Sequence, residues 1–319
     1  MKDKLTNVVK IVVTLGLLLV VAFTLDLRQV WDTLASAQWA DLAIALLLYQ
    51  VGIVVRAYRW QALLGGQGVV APLWRLTRIY YVGTFFNSFL PSGFGGDVVR
   101  MYELSRYGAT GPLAISTVLV DRIMGLIVLF AMALVALPFS YRLVPASVPL
   151  ALLALIAGLA LGLALLLNRP LVGALSRRVR LFARLMDHPR VAALYSSFHH
   201  YDRRSLLQAT VASLVFNLSL VVVQSYLGRG VGVHLGIGYY VLFVPILSSL
   251  LTLPISISGF GVREGGYVVL FGQAGVPAPQ AVAMSLLFYA INALTGLIGG
   301  VLYLAQGAAG LRRREADSS

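Results

Sequence analysis

The chain has 319 residues, of which 59% are hydrophobic and 12% charged, about half the charged share of a soluble globular protein. So few charges cannot cover a water-facing surface, which excludes a soluble enzyme and a disordered chain and leaves most of the outer surface facing lipid. Lys and Arg total 25 against 12 Asp and Glu, with no cysteine; the excess fits loops against anionic lipid rather than a nucleic-acid partner, and thiol chemistry is ruled out.

The first apolar run, Val8 to Leu25, follows Lys2 and Lys4. It is too long for a signal core and Phe23-Thr24-Leu25-Asp26 offers no small-residue cleavage site, so it reads as a retained helix. Ala40 to Leu63 comes next, and its Arg56, Tyr58, Arg59 and Trp60 read as an anchor at the cytoplasmic interface. Leu73 to Tyr107 is broken in its middle by Pro91, Gly93, Gly95 and Gly96. Pro112 to Leu137 carries Asp121 and Arg122. Adjacent helical residues point about 100° apart, so these two are expected to pair with other segments.

Ser147 to Leu167 is the next apolar run, followed by a loop, 169 to 205, with eight arginines. Within it Val172, Leu175, Val179, Phe182 and Leu185 share one helical face, opposite most of Arg177, Arg178, Arg180 and Arg184. That pattern lies on an anionic inner leaflet, or else is a solvated linker. Leu206 to Gly228 and Gln280 to Tyr303 complete six full spans of about 20 residues. Between those two lies a second broken stretch, Leu235 to Gly275, with Pro254, Gly259, Gly261 and Gly265. Residues 312 to 319 are expected to form a cytoplasmic polar tail.

Sidedness follows from the basic residues. If the first broken stretch enters and leaves from the cytoplasm and the second does so from outside, twenty basic residues fall inside. Arg28, Arg142 and Arg229 fall outside, with Arg122 and Arg263 at membrane depth. The positive-inside bias then places both termini in the cytoplasm, at the plasma (inner) membrane. The expected fold is an all-α integral membrane protein with six transmembrane helices and two re-entrant hairpins related as an inverted repeat. It forms one domain over 1–311, with repeats at about 40–137 and 206–305.

The two breaks share a pattern: Leu-Pro, then Ser-Gly-Phe-Gly, then an acid and an arginine, Asp97 and Arg100 in the first and Arg263 and Glu264 in the second. Irregular backbone at membrane depth survives only inside protein or along a polar cavity. In transporters built from inverted repeats, such breaks turn their positive ends toward an anionic part of the substrate. The plainer alternative is a pair of chain reversals. Asp97, Arg100, Asp121, Arg122, Arg263 and Glu264 are expected to gather in one buried cluster, able to grip phosphate or carboxylate; the competing reading is structural ion pairs. Asn87 and Asn292 either satisfy broken-helix backbone or touch substrate. The four histidines lack metal-ligand spacing, and no nucleotide or nucleophile motif is present, so neither metal nor cofactor is expected.

At Arg56-Ala-Tyr-Arg59-Trp60, Phe86-Asn87-Ser-Phe-Leu90-Pro91, Gly96-Asp97-Val-Val-Arg100, Asp121-Arg122 and Gly259-Phe-Gly-Val-Arg263-Glu264-Gly265 the sequence resembles the lysylphosphatidylglycerol synthase transmembrane region family, the flippase-like domain proteins. The resemblance runs from about residue 10 to 305. In the multiple peptide resistance factors, this region is similar to a flippase for aminoacylated phosphatidylglycerol and precedes an aminoacyltransferase domain. Here the chain stops at Ser319, so the expectation is a transporter without synthase activity. Position 121 is Asp where the family pattern leads one to expect Glu, a shorter reach with the same charge.

The expected function is therefore a flippase that carries a phospholipid or lipid-linked headgroup through a polar groove between the hairpins and the Asp121 helix. Two alternatives stand beside it: a membrane enzyme acting on a lipid-linked sugar or phosphate, and a non-catalytic subunit that serves a partner synthase.

Overall fold

The computed structural model describes residues 27–89, 95–140, 147–167, 188–198, 201–251 and 261–317, with isolated positions between 170 and 177. Among the described residues every regular element is a helix: α1 (Leu27–Ala35), α2 (Trp39–Gly66), α3 (Leu73–Phe89), α4 (Gly95–Ser105), α5 (Gly111–Ser140), α6 (Ser147–Leu167), α7 (Pro189–Ser197), α8 (Arg203–Gly230), α9 (Ile237–Leu250), α10 (Val262–Gly272) and α11 (Ala278–Asp317). Four of them, α2, α5, α8 and the Ala278–Ala305 part of α11, are long and apolar enough to cross a bilayer, and α6 and α9 contribute shorter apolar stretches. The expected first span, Val8 to Leu25, lies outside the described residues, as do Pro91, Gly93, Pro254, Gly259 and most of the basic loop. The α11 backbone stays helical through Asp317, so most of the expected polar tail continues the last helix.

The helices α2 and α8 run antiparallel over their full length. At one end the Gln38 amide donates to the Gly230 carbonyl at 2.8 Å, and at the other Gly66 lies against Ser205 and Asp202. Midway, Gly52 leaves room for the Phe216 ring. The α5 helix is parallel to α8: Ser116 meets Tyr201 at 3.4 Å near one end, and toward the other Ala133 belongs to the same hydrophobic cluster as Ala37 and Val231. The bundle therefore has a Gly66 end and a Trp39 end.

Both broken stretches are helical hairpins. In the first, the Arg75 guanidinium lies 3.4 Å from the centre of the Tyr107 ring, so the start of α3 and the chain beyond α4 meet, and Gln61 donates to the Ala71 carbonyl at 2.8 Å. This hairpin rises from the Gly66 end. Where α3 and α4 cross, a Cβ on Gly96 would stand 2.2 Å from the Gly83 carbonyl oxygen, a contact only glycine permits. The second hairpin, α9 and α10, rises from the Trp39 end: Tyr240 lies against Gly228 and, past α10, Gln280 against Gly232. Gly261 opens α10 at φ +80°, a left-handed turn that suits glycine.

The outer helix of the first hairpin lies on α11, antiparallel to it. Gly296, Gly299 and Gly300 face Ser88, Tyr81 and Phe85, and a Cβ on Gly299 would stand 1.9 Å from the Tyr81 carbonyl oxygen. This is the small-residue close approach by which helices associate in lipid, where apolar burial drives little. Against α2 the same unit makes side-chain hydrogen bonds instead: Tyr49 to Asn292 at 2.6 Å, Gln50 to Thr295 at 3.0 Å and Tyr81 to Gln50 at 2.9 Å.

Candidate functional site

The site is assembled around Asp121, which is 1% exposed in the third turn of α5. One carboxylate oxygen accepts Arg59 Nε of α2 at 2.6 Å. The other accepts Arg100 Nη2 of α4 at 2.8 Å and the Tyr80 hydroxyl of α3. Four helices thus converge on one carboxylate. Arg100 also reaches Asp97 at 3.3 Å, and Asp97 accepts Arg122 from α5. The Arg100 guanidinium lies beside two aromatic rings, 4.3 Å from the Trp60 centroid and 4.1 Å from that of Tyr80. Arg59 is further held by Ser213 of α8 at 3.2 Å.

The network survives in an apolar bundle because each charge has an opposite partner and further hydrogen bonds; removing one partner from such a pair costs about 3–5 kcal/mol. It is nevertheless short of acceptors. Among the described residues Trp60 Nε1 and Arg100 Nε are buried with no acceptor. Arg122 is the outlying member, its side chain 40% exposed.

The six charged residues expected in one cluster sort into two. Asp97, Arg100, Asp121 and Arg122 form the first, and Asp121 and Arg122 do pair with other segments. Arg263 and Glu264 form a second group in the other hairpin: they pair with each other at 3.0 Å, and Ser285 of α11 donates to Glu264 at 3.1 Å. Glu264 also accepts the Gly261 amide at 2.6 Å, closing the start of α10, and the Arg263 guanidinium lies 4.9 Å from the Tyr289 ring centre. Adjacent residues pair here because both side chains reach Ser285 on the same neighbouring helix.

Asn87 takes the backbone role: its Oδ1 accepts the Gly96 amide at 2.8 Å, tying the start of α4 to α3. Asn292 is held by Tyr49 and donates to the Phe288 carbonyl. Gly95 and Gly96 are buried in the first turn of α4, whereas Gly265 is an ordinary helical residue with open space at its Cβ. Arg59 was expected at the interface; α2 instead continues to Gly66 and buries it at 4% exposure. Tyr80, also central, lay unnoticed in an apolar run. A cavity of about 460 Å³ at the Gly66 end is lined by Tyr58, Gln61, Arg204, Ser205 and Gln208 among others. It sits one residue along α2 from Arg59, turned about 100° away from the ion network.

The Lysylphosphatidylglycerol synthase TM region family matches residues 7–300. The chain belongs to that family. A UPF0104 membrane protein of Pyrococcus horikoshii is 23% identical over 325 residues, covering 90% of this chain and 96% of that one. Its printed name states a membrane location and no activity. Together with the apolar helices, membership makes this a multi-pass membrane protein of the lysylphosphatidylglycerol synthase transmembrane type.

Proposed function

We propose that the protein is a lipid translocase, moving a phospholipid or lipid-linked headgroup between leaflets without altering it covalently. The observation that carries this reading is the Asp121 network, a charged assembly inside the bundle at the point where a broken-helix hairpin meets α5. Arg122, which holds Asp97, lies about 16 Å along α5 from its start, and charges at such depth face a polar path or a partner rather than lipid. Acyl tails stay outside while the headgroup follows the groove between the hairpins.

In this reading the hairpins are re-entrant and the two halves form an inverted repeat, supported by their approach from opposite ends of the bundle. The Gly66 end faces the cytoplasm of the inner membrane, with both termini on that side. The basic segment 169–205 rests on anionic inner-leaflet lipid and serves any partner synthase.

Reconstitution with a fluorescent phospholipid, followed by quenching of the outer leaflet, tests this. Proteoliposomes are expected to expose the labelled lipid faster than empty vesicles; Arg122→Gln is expected to slow exposure several-fold at an unchanged melting temperature, and Arg263→Gln to slow it with a lowered one, because buried Glu264 loses its partner. Unchanged exposure in both variants overturns the site assignment; no acceleration by the wild type overturns the function.

A further inference from the structure

One cation of α2 stands outside the ion network. Arg56 lies ten residues before Gly66 in a 28-residue helix, about 15 Å from one end and about 26 Å from the other. In a bilayer centred on this helix, whose 28 residues exceed the about 20 that cross a hydrocarbon core, the position falls within the apolar slab. It is partly buried, and its neighbours are ring faces: the guanidinium carbon lies 5.0 Å from the Tyr80 centroid and 5.2 Å from that of Phe216. Among the described residues no carboxylate pairs with it. Asp121 is taken by Arg59, Arg100 and Tyr80, and Asp97 by Arg100 and Arg122.

A guanidinium at this depth without a counter-ion is costly, and such residues face a water-filled cavity or a ligand path. The rings attract the cation without taking up its N–H groups as a carboxylate would, which leaves donors for another partner. The surroundings lack acceptors in the same sense, with the Trp60 and Arg100 donors unmatched. The missing component is therefore an anion.

We propose that Arg56 binds the phosphate of the lipid as its headgroup passes α2, α3 and α8, a role that rests on the translocase reading. A guanidinium held beside the Tyr80 and Phe216 rings has N–H groups to offer two phosphate oxygens. The substrate class is a lipid phosphate mono- or diester, and an uncharged diacylglycerol is excluded. Tyr80 links this position to the network, since its ring serves both Arg56 and Arg100 while its hydroxyl holds Asp121.

Native mass spectrometry of the purified full chain, offered dioleoylphosphatidic acid, dioleoylglycerol or sodium phosphate, decides it, because the two lipids differ only in the phosphate. The wild type is expected to retain the phosphatidate roughly tenfold over the diacylglycerol, in line with a charge-assisted bidentate contact. Arg56→Gln loses that preference and Arg56→Lys keeps part of it, while the melting temperature of Arg56→Gln stays near wild type because no ion pair is lost.

Equal retention of phosphatidate by wild type and Arg56→Gln overturns the assignment. So does a wild type that holds both lipids equally, a result that needs no variant to fold, and so does saturation by inorganic phosphate at the lipid's concentration. Lipid movement in vesicles is scored separately. Phosphatidate retention lost with Arg56→Gln in a protein that moves no lipid leaves the site standing and removes the translocase reading.

Discussion

The guanidinium of Arg59 occupies the space that a side chain at Gly125 would need: a Cβ there would stand 2.7 Å from Arg59 Nη1. Gly125 lies one turn beyond Asp121 on α5, so the missing side chain is what lets Arg59 reach the carboxylate from α2. Gly125→Val is expected to push the guanidinium off Asp121 and leave both charges buried, a loss of about 3–5 kcal/mol. Thermal unfolding in detergent measures it, and a variant as stable as wild type would show that Arg59 has another place to go.

The two aspartates of the network differ in burial, and their substitutions should differ accordingly. Asp121→Asn removes the charge shared by Arg59 and Arg100 at 1% exposure and is expected to cost about 3–5 kcal/mol. Asp97, 14% exposed and paired with the half-exposed Arg122, is expected to cost about 1 kcal/mol as Asn, closer to a surface pair. Equal losses, or the reverse order, in parallel melting curves would contradict the hierarchy.

Close approach makes a second test. Gly299→Ala sets a methyl group into the Tyr81 carbonyl and is expected to cost about 1–3 kcal/mol through overpacking. Gly158→Ala, in the middle of α6 with nothing within 4 Å, is expected to be neutral or to stabilise by up to about 1 kcal/mol through helix propensity. The pair is compared by melting temperature at one detergent concentration.

At the Gly66 end Asp202 caps α8, its side chain accepting the Ser205 amide. Hydrogen bonding by Ser205, from its side chain first and then its amide, holds the carboxyl below its ordinary value. A carboxyl depressed in the folded state lends stability that is present above its unfolded pKa, about 3.9, and is lost as pH falls through its folded value. Hydrogen exchange at the Ser205 amide is expected to quicken as pH drops below about 4 in wild type, once intrinsic rates are corrected. Asp202→Asn should flatten that dependence; an identical profile in the variant would place its origin elsewhere.

The spans were legible because an apolar run of bilayer length reports its lipid environment directly. Ser147 to Leu167 coincides with α6, and Ala40 to Leu63 lies within α2. The hairpins were legible because Pro and Gly withdraw the donors and restraints a continuous helix needs. The allegiance of each charge was not. Arg59 beside Tyr58 and Trp60 has the composition of an interfacial belt, and its burial depends on a partner 62 residues away. Gly125 was the one local sign of that partnership, and a lone glycine in an apolar helix does not identify what fills its space. Likewise the Arg263 and Glu264 side chains could have reached the Asp121 network or each other; Ser285 on α11, rather than either residue's own neighbours, draws them together.

The glycine ridge of α11 fixes how the first hairpin is mounted on the bundle. Backbone touching backbone leaves no slack between α3 and α11, so the first hairpin and the last helix shift as one rigid lever. Toward α2 the contact is of another kind, with side-chain hydrogen bonds through Tyr49, Gln50 and Tyr81 beside the buried ion network on Asp121. A label on the C-terminal helix would therefore report any motion of a hairpin nearly two hundred residues earlier in the chain.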